Sequence, residues 1–408
     1  MLELLSIPLL VAGGSILFSR AGNWTDRQKL EKIFVRVGLV VKEGDKVKKL
    51  RLLRKTPIND DKEIGMEYVY QIPLGISMDE VEEKYAAIRD GINIKREGNQ
   101  KHVEMDYDGA LRIKIYERSI KKKVEFTEEL LIGGWNVPIG ENHKGFVYHD
   151  HEKIPHLLIA GTTRYGKTVF LKNLITSLIA QSPERVKFTL IDLKGGLAFS
   201  RFERLKQVHK VATDPFESKD VLLEVEAEIR ERLAHYRAHG FEDAKEAKEK
   251  IRHFIIVDEG AQISSKGTRD KETRNAKIEC ERIIDYIASV SGGVGYRLVF
   301  ATQYPLRENL SPIVKQQCDA KLVFRLQNET ASRVAMDAQG AEKLPRKDNT
   351  YHGGRAIYMT DAPTEVQTPF IDNDTIEKLI SPHKVVKTVE VYDADQPGEN
   401  RTDIIEFR

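Results

Sequence analysis

The sequence predicts an α/β protein: a mainly parallel sheet with helices on both faces, built round a phosphate loop. A smaller α+β domain and a short apolar N-terminal helix precede it. Three observations carry this. The octapeptide Gly161-Thr162-Thr163-Arg164-Tyr165-Gly166-Lys167-Thr168 fits the pattern G-x-x-x-x-G-K-[ST] at every position. It stands between an apolar strand, His156–Ala160, and a helical pattern, Val169–Ile175. From Val137 to Asp372 strand-like runs then alternate with helical stretches: Val186–Leu193, Val208–Thr213, His253–Glu259, Arg297–Gln303 and Ala320–Leu326.

A strand, a tight turn and a helix N-terminus aim several backbone N–H groups at one point, which suits a polyphosphate. Gly161 and Gly166 let the backbone turn tightly and approach phosphates without a Cβ in the way. Lys167 is expected to bridge the β- and γ-phosphates of ATP, and Thr168 to give its hydroxyl to Mg²⁺. Thr162, Thr163, Arg164, Tyr165 and Val169 complete the expected nucleotide contacts. A chance glycine-lysine turn is the plain alternative, and the strands that follow argue against it.

His253-Phe254-Ile255-Ile256-Val257-Asp258-Glu259 reads as a buried parallel strand with two carboxylates at its C-terminal end, where open α/β sheets place ligands. Asp258 is expected to hold the metal through a water, and Glu259 to act as general base on the attacking water. An Asp-Glu pair alone is ordinarily a solvated strand end; the apolar strand and the phosphate loop ahead favour the functional reading. The strand Arg297–Gln303 also ends in a polar pair. In strand-inserted P-loop ATPases a polar residue there senses the γ-phosphate, and Gln303 takes that position.

The whole chain sets bounds. At 408 residues it holds two or three domains. Its net charge of +2, from 65 basic and 63 acidic residues, decides nothing about nucleic acid. Between Arg20 and Lys55 stand twelve Lys or Arg against four Asp or Glu, a solvated face or one suited to anionic headgroups. Cys280 and Cys318 make no disulfide framework, which points to a reducing compartment. His143, His149, His151 and His156 lack helix-face spacing and are read as loop and strand-edge histidines, not as a metal site. Leu4–Phe18 is uncharged and mostly apolar, shorter than the ~20 residues of a comfortable span. It reads as a membrane anchor with the rest of the chain cytoplasmic, or else as an apolar arm or partner-docking helix.

The expected organisation is a membrane anchor over 1–20, a basic linker over 21–65, a small α+β domain over 66–136, the ATPase domain over 137–380 and a mobile polar tail over 381–408. In the small domain Tyr68–Ile72 reads as a strand, Ser77 caps a helix through Asp90, and Val103–Met105 with Leu111–Tyr116 form a hairpin round Asp108-Gly109. In the ATPase domain Leu222, Val225, Ile229, Leu233 and Tyr236 mark the core face of a long helix ended by Gly240.

The run Pro155–Thr163, then Ile256-Val257-Asp258-Glu259, Phe300-Ala301-Thr302-Gln303, Ser332-Arg333 and Gln339–Leu344 together resemble the FtsK/SpoIIIE-type DNA translocases, over roughly residues 66–372. The resemblance implies a RecA-like P-loop ATPase core that assembles as a homo-hexameric ring and moves double-stranded DNA through its channel. It also implies a trans-acting arginine from the neighbouring subunit, for which Arg325 and Arg333 are the candidates; either can instead pair with a carboxylate. The chain departs from the family at Arg164-Tyr165, where Gly-Ser is usual, and at Asp192-Leu193-Lys194, where Asp-Pro-Lys is usual. With a short anchor, a small domain and no segment left for a winged helix, it looks most like the coupling proteins of Gram-positive conjugative elements. These deliver DNA to a transfer channel, with relaxase and channel proteins as partners. A segregation or plasmid-replication pump, and a nucleotide-dependent scaffold with little hydrolysis, are the alternatives. Lys266, Arg269, Lys271 and Arg274, in the stretch Ser264–Arg274, are expected either to line the DNA channel or to be an exposed polar loop.

Overall fold

The computed structural model describes residues 24–60, 63–96, 100–117, 119–348 and 351–385. They fall into two units, Met1–Ile120 with His143–Gly145, and Lys121–Asn142 with Phe146–Arg408. The apolar stretch Leu4–Phe18 and the tail beyond residue 385 lie outside the described residues. Among the described residues no helix is long and apolar enough to cross a membrane.

In the first unit the charged segment expected to be a linker is folded. Helix α1, Asp26–Arg36, starts from a capping box between Thr25 and Gln28. Strands β1, Val40–Glu43, and β2, Lys46–Lys49, pair as a hairpin. Strand β3, Arg51–Asp60, is the edge of a four-stranded antiparallel sheet with β4, Glu63–Gln71. Lysine-rich edge strands have the composition of a linker because exposed edges are kept soluble by charge. The segment from Ser77 was expected to be one helix and is two: α2, Met78–Glu83, capped by Ser77, and α3, Tyr85–Ile92. They part at Lys84, whose N–H bonds back only three residues to Val81 O. The hairpin β5, His102–Tyr107, and β6, Leu111–Tyr116, turns at Gly109 as expected, with φ 92°. Alternate residues of β6 (Leu111, Ile113, Ile115) join Leu30, Phe34, Tyr70, Val81 and Ile88 in the core.

The second unit is built on a ten-stranded sheet. Its strands are β8, Asn136–Glu141; β9, Phe146–Asp150; β10, Leu157–Ala160; β11, Val186–Ile191; β12, Val208–Ala212; β13, Arg252–Val257; β14, Tyr296–Thr302; β15, Ala320–Phe324; β16, Arg355–Met359; and β17, Pro363–Gln367. Strands β7, Val124–Glu125, and β18, Pro369–Phe370, form a separate short pair. The sheet order is β12-β11-β13-β14-β10-β15-β16-β17-β8-β9, parallel from β12 to β15 and antiparallel beyond. The expected mainly parallel core is present, extended by an antiparallel wing. Strand β14 stands between β10 and β13, so the phosphate-loop strand and the Asp-Glu strand are separated by one inserted strand.

Helix α4, Lys167–Gln181, covers one face: Phe170, Leu171, Leu174 and Leu178 pack with Leu157, Ile159, Phe254 and Ile256. Helices α5, Pro215–His239, and α7, Lys271–Val290, cover the other, where Val221, Leu222, Val225, Ile229 and Ile283 meet Leu158, Ile255, Val257 and Leu298. Strand neighbours thus point to opposite faces, and every residue of β13 is buried, the apolar run Phe254–Val257 together with Arg252 and His253 ahead of it. The expected stripe on α5 is core, with Leu233 partly buried, and Gly240 ends the helix at φ 72°. Shorter helices complete the unit: α6, Gly260–Ile263; α8, Pro312–Gln317; α9, Glu329–Met336; and α10, Asn373–Ile380.

Candidate active site

The loop between β10 and α4 lies at the C-terminal edge of the parallel strands. It is held from both sides: Gly161 N–H donates to Thr302 O (3.1 Å), and Thr162 N–H and Oγ1 donate to Arg325 O (3.0 and 2.6 Å). Gly166 has φ 125° and a Cβ there would meet the Phe324 ring at 2.9 Å; one on Gly161 would meet Phe324 Cβ at 2.6 Å. Both glycines are therefore required by the close approach of β15 as well as by any phosphate. Arg164 has φ 74° and is exposed, and Tyr165 O accepts from Gly354 N–H (2.9 Å). Thr163, Thr168 and Val169 lie at the surface or half-buried beside it.

Helix α4 has no side-chain cap at Gly166, whereas Thr25, Ser77, Asp214 and Asp270 cap the helices that follow them. Its first N–H groups are left to an outside acceptor. Lys167, only 4% exposed, points across the sheet edge to Asp258, 3% exposed. Its ammonium donates to Asp258 Oδ1 at 2.8 Å and also to Asp258 O. Burial of both charges is tolerable only because they are paired.

Glu259, 2% exposed, has its carboxylate fixed by four contacts. Oε1 accepts from Thr302 Oγ1 (3.0 Å) and Gln303 N–H (2.9 Å), and Oε2 from Gln303 N–H (3.2 Å) and Lys194 Nζ (3.0 Å). Gln303 Oε1 accepts from Thr163 Oγ1 at 2.9 Å, so the end of β14 bridges the phosphate loop and the Glu259 carboxylate. Lys194 was noted in the sequence only as part of Asp192-Leu193-Lys194, and no role was given to it. Its loop is shaped by buried Asp192, which accepts from Lys194 N–H (3.0 Å) and Ala198 N–H (2.9 Å). Gly260 was not singled out. A Cβ there would lie 1.9 Å from Phe300 Cζ, so Gly260 lets helix α6 begin against β14.

Residues 135–341, half of the chain, match the FtsK/SpoIIIE family. The chain belongs to that family. Over 266 residues it is 29% identical to the DNA translocase FtsK of Leptospira interrogans, covering 60% of this chain and 26% of that protein. Over 297 residues it is 27% identical to the DNA translocase SpoIIIE of Bacillus subtilis, covering 67% and 35%. The chain thus matches little more than a third, or less, of the length of these relatives. Its fold is similar to that of the pCW3 conjugation coupling protein TcpA, solved as a monomer form with ATPγS: TM-score 0.62 and 20% identity over 88% of this chain and 99% of that one.

In this FtsK/SpoIIIE-family chain the two candidate arginines have different surroundings. Arg325 directs its guanidinium to Leu344 O within its own chain, while its carbonyl anchors the phosphate loop. Arg333 is 55% exposed on α9 and pairs with Glu329 at 2.8 Å, the surface ion pair weighed from the sequence. Neither is brought to Lys167 or Glu259 by a contact within the chain. Of the basic stretch, Lys266 and Arg269 lie in the loop after α6, but Lys271 and Arg274 stand on the first turn of α7, behind the Asp270 cap. All four are exposed.

Proposed function

We propose that this chain is an ATP-driven translocase of double-stranded DNA. The carrying observation is the buried Lys167–Asp258 pair beside an uncapped helix N-terminus, with Glu259 fixed one residue further on at the same sheet edge. ATP docks its β- and γ-phosphates on the loop N–H groups, and Lys167 turns from Asp258 to the phosphates. The hydroxyl of Thr168 and the carboxylate of Asp258 are hard oxygen donors that suit Mg²⁺, which when bound neutralises phosphate charge. Glu259 takes the proton of the attacking water, and Gln303, tied to both the loop and Glu259, reads the γ-phosphate.

The working form is a homo-hexameric ring, in which a neighbour's exposed Arg333 has the freer route to a γ-phosphate than the internally bonded Arg325. Lys266, Arg269, Lys271 and Arg274 face the duplex through its phosphates. The client process is conjugative transfer, with the motor in the cytoplasm, residues 1–20 at the membrane, and relaxase and channel proteins as partners. Support for that choice is the likeness of fold to TcpA over nearly its whole solved length. The test is ATP turnover with and without linear duplex DNA. DNA stimulation in the wild type, with loss of ATP binding by 10-fold or more in Lys167→Ala (about 1.5–3 kcal/mol for charged hydrogen bonds), supports it. ATP binding without any DNA effect favours a scaffold.

A further inference from the structure

We propose that His102, Glu104 and His143 in the first unit form a binding site for a transition-metal ion, best matched by Zn²⁺. The site is separate from the Mg²⁺ donors of the nucleotide site.

Strand β5 is an edge of the four-stranded sheet, and His102 and Glu104, two residues apart on it, share a face. The segment His143–Gly145 belongs to the same unit and brings a third side chain to that face. Glu104 Oε1 lies 3.3 Å from His102 Nε2 and 3.4 Å from His143 Nε2. A tetrahedral ion with bonds of about 2.0–2.1 Å holds its ligand atoms roughly 3.3–3.4 Å apart. All three ligand atoms lie within 4.8 Å of one another. The other carboxylate oxygen, Oε2, accepts from Tyr116 Oη at 3.2 Å, which orients Glu104 and leaves Oε1 directed at the histidines.

His143 supplies the second argument. Its side chain is 6% exposed, yet neither ring nitrogen makes a hydrogen bond: the 3.4 Å approach to Glu104 is an ion-pair distance without hydrogen-bond geometry. A buried imidazole ordinarily has a partner. The His102 and His143 rings stack at 4.2 Å with planes 20° apart. Closing on an ion requires the rings to fan out of that stack so that their lone pairs converge on the space beside Oε1. Two imidazoles and one carboxylate suit Zn²⁺ and leave a fourth position for water, whereas Mg²⁺ prefers an all-oxygen shell.

The test uses the full chain, freed of metal by chelation and titrated with Zn²⁺ against a chromogenic chelator without nucleotide. One Zn²⁺ per chain is expected, with affinity lower by at least 10-fold in each of His102→Ala, Glu104→Gln and His143→Ala. No Zn²⁺ uptake, or equal uptake by the variants, overturns the proposal. A second readout needs no variant: diethyl pyrocarbonate modification of the wild type, mapped by mass spectrometry. Zn²⁺ is expected to protect His102 and His143 together; modification of either at the same rate with and without Zn²⁺ overturns it.

Discussion

Lys194 Nζ lies 3.0 Å from Glu259 Oε2 and completes a set of donors that engages both oxygens of the carboxylate. In the role of general base proposed for it, Glu259 must offer a lone pair to water, so this ion pair would have to open first. Lys194 is 38% exposed, with Gly195 and Gly196 after it at φ 87° and 74°, so its long side chain can swing to solvent without moving the loop that Asp192 holds. Lys194→Ala is therefore expected to raise DNA-free ATP turnover about 3- to 10-fold, the worth of roughly 1 kcal/mol of one hydrogen bond. KM for ATP should stay unchanged. Steady-state kinetics check this; a fall in kcat would assign Lys194 a direct part in turnover instead.

Gly260→Ala tests the packing that fixes the Asp258-Glu259 corner. The added Cβ falls 1.9 Å from Phe300 Cζ, inside the van der Waals radius of the ring. Overpacking of this kind costs about 1–3 kcal/mol or more, read as a lower urea midpoint. Combining it with Phe300→Leu should recover part of the loss. An unchanged midpoint in the single variant would mean that α6 shifts freely.

Much of this site was legible because its parts are local in sequence. The loop Gly161–Thr168, the apolar run before Asp258-Glu259 and the Thr302-Gln303 pair each announce themselves within a few residues, and the parallel strands bring their C-terminal ends together. What could not be read depends on distant packing. Lys194 meets Glu259 across 65 positions, and Gly260 is constrained by a ring on β14. The basic segment misled for another reason: in β2, Lys-Val-Lys-Lys, all four residues are exposed, so charge concealed a strand.

Stability should fall on mild acidification. Burial pushes His149, His156 and His253 down to about 4, against about 6.5 in an unfolded chain. In His156 the nitrogen that takes the proton accepts from Leu298 N–H at 2.9 Å, so charging it breaks a bond between the residue before β10 and β14. The folded state resists protons that the unfolded chain takes up. The stabilisation is thus complete above pH 6.5 and is lost as pH falls towards 4, on the order of 2 kcal/mol per histidine. Glu226, held at about 2 by Arg282, responds only in stronger acid. Urea midpoints at pH 8, 6.5 and 5 check this; a flat profile from 7 to 5 would contradict it.

Replacing Lys266, Arg269, Lys271 and Arg274 together with Ala should weaken duplex binding and flatten its salt dependence. Each phosphate contact contributes about 0.9 to the slope of log affinity against log salt, so the slope should fall by about 1–4. Fluorescence anisotropy over a salt series measures it. The same slope in the variant would place the duplex elsewhere on the protein.

The most direct measurement is displacement of a triplex-forming strand from linear duplex DNA by the full chain with ATP and Mg²⁺. The wild type should strip the third strand at a rate that follows ATP turnover. Glu259→Gln should bind ATP yet fall by about 10²–10⁴-fold in both activities. A wild-type chain that hydrolyses ATP but leaves the triplex in place, or a Glu259→Gln chain that displaces it at the wild-type rate, would contradict the account.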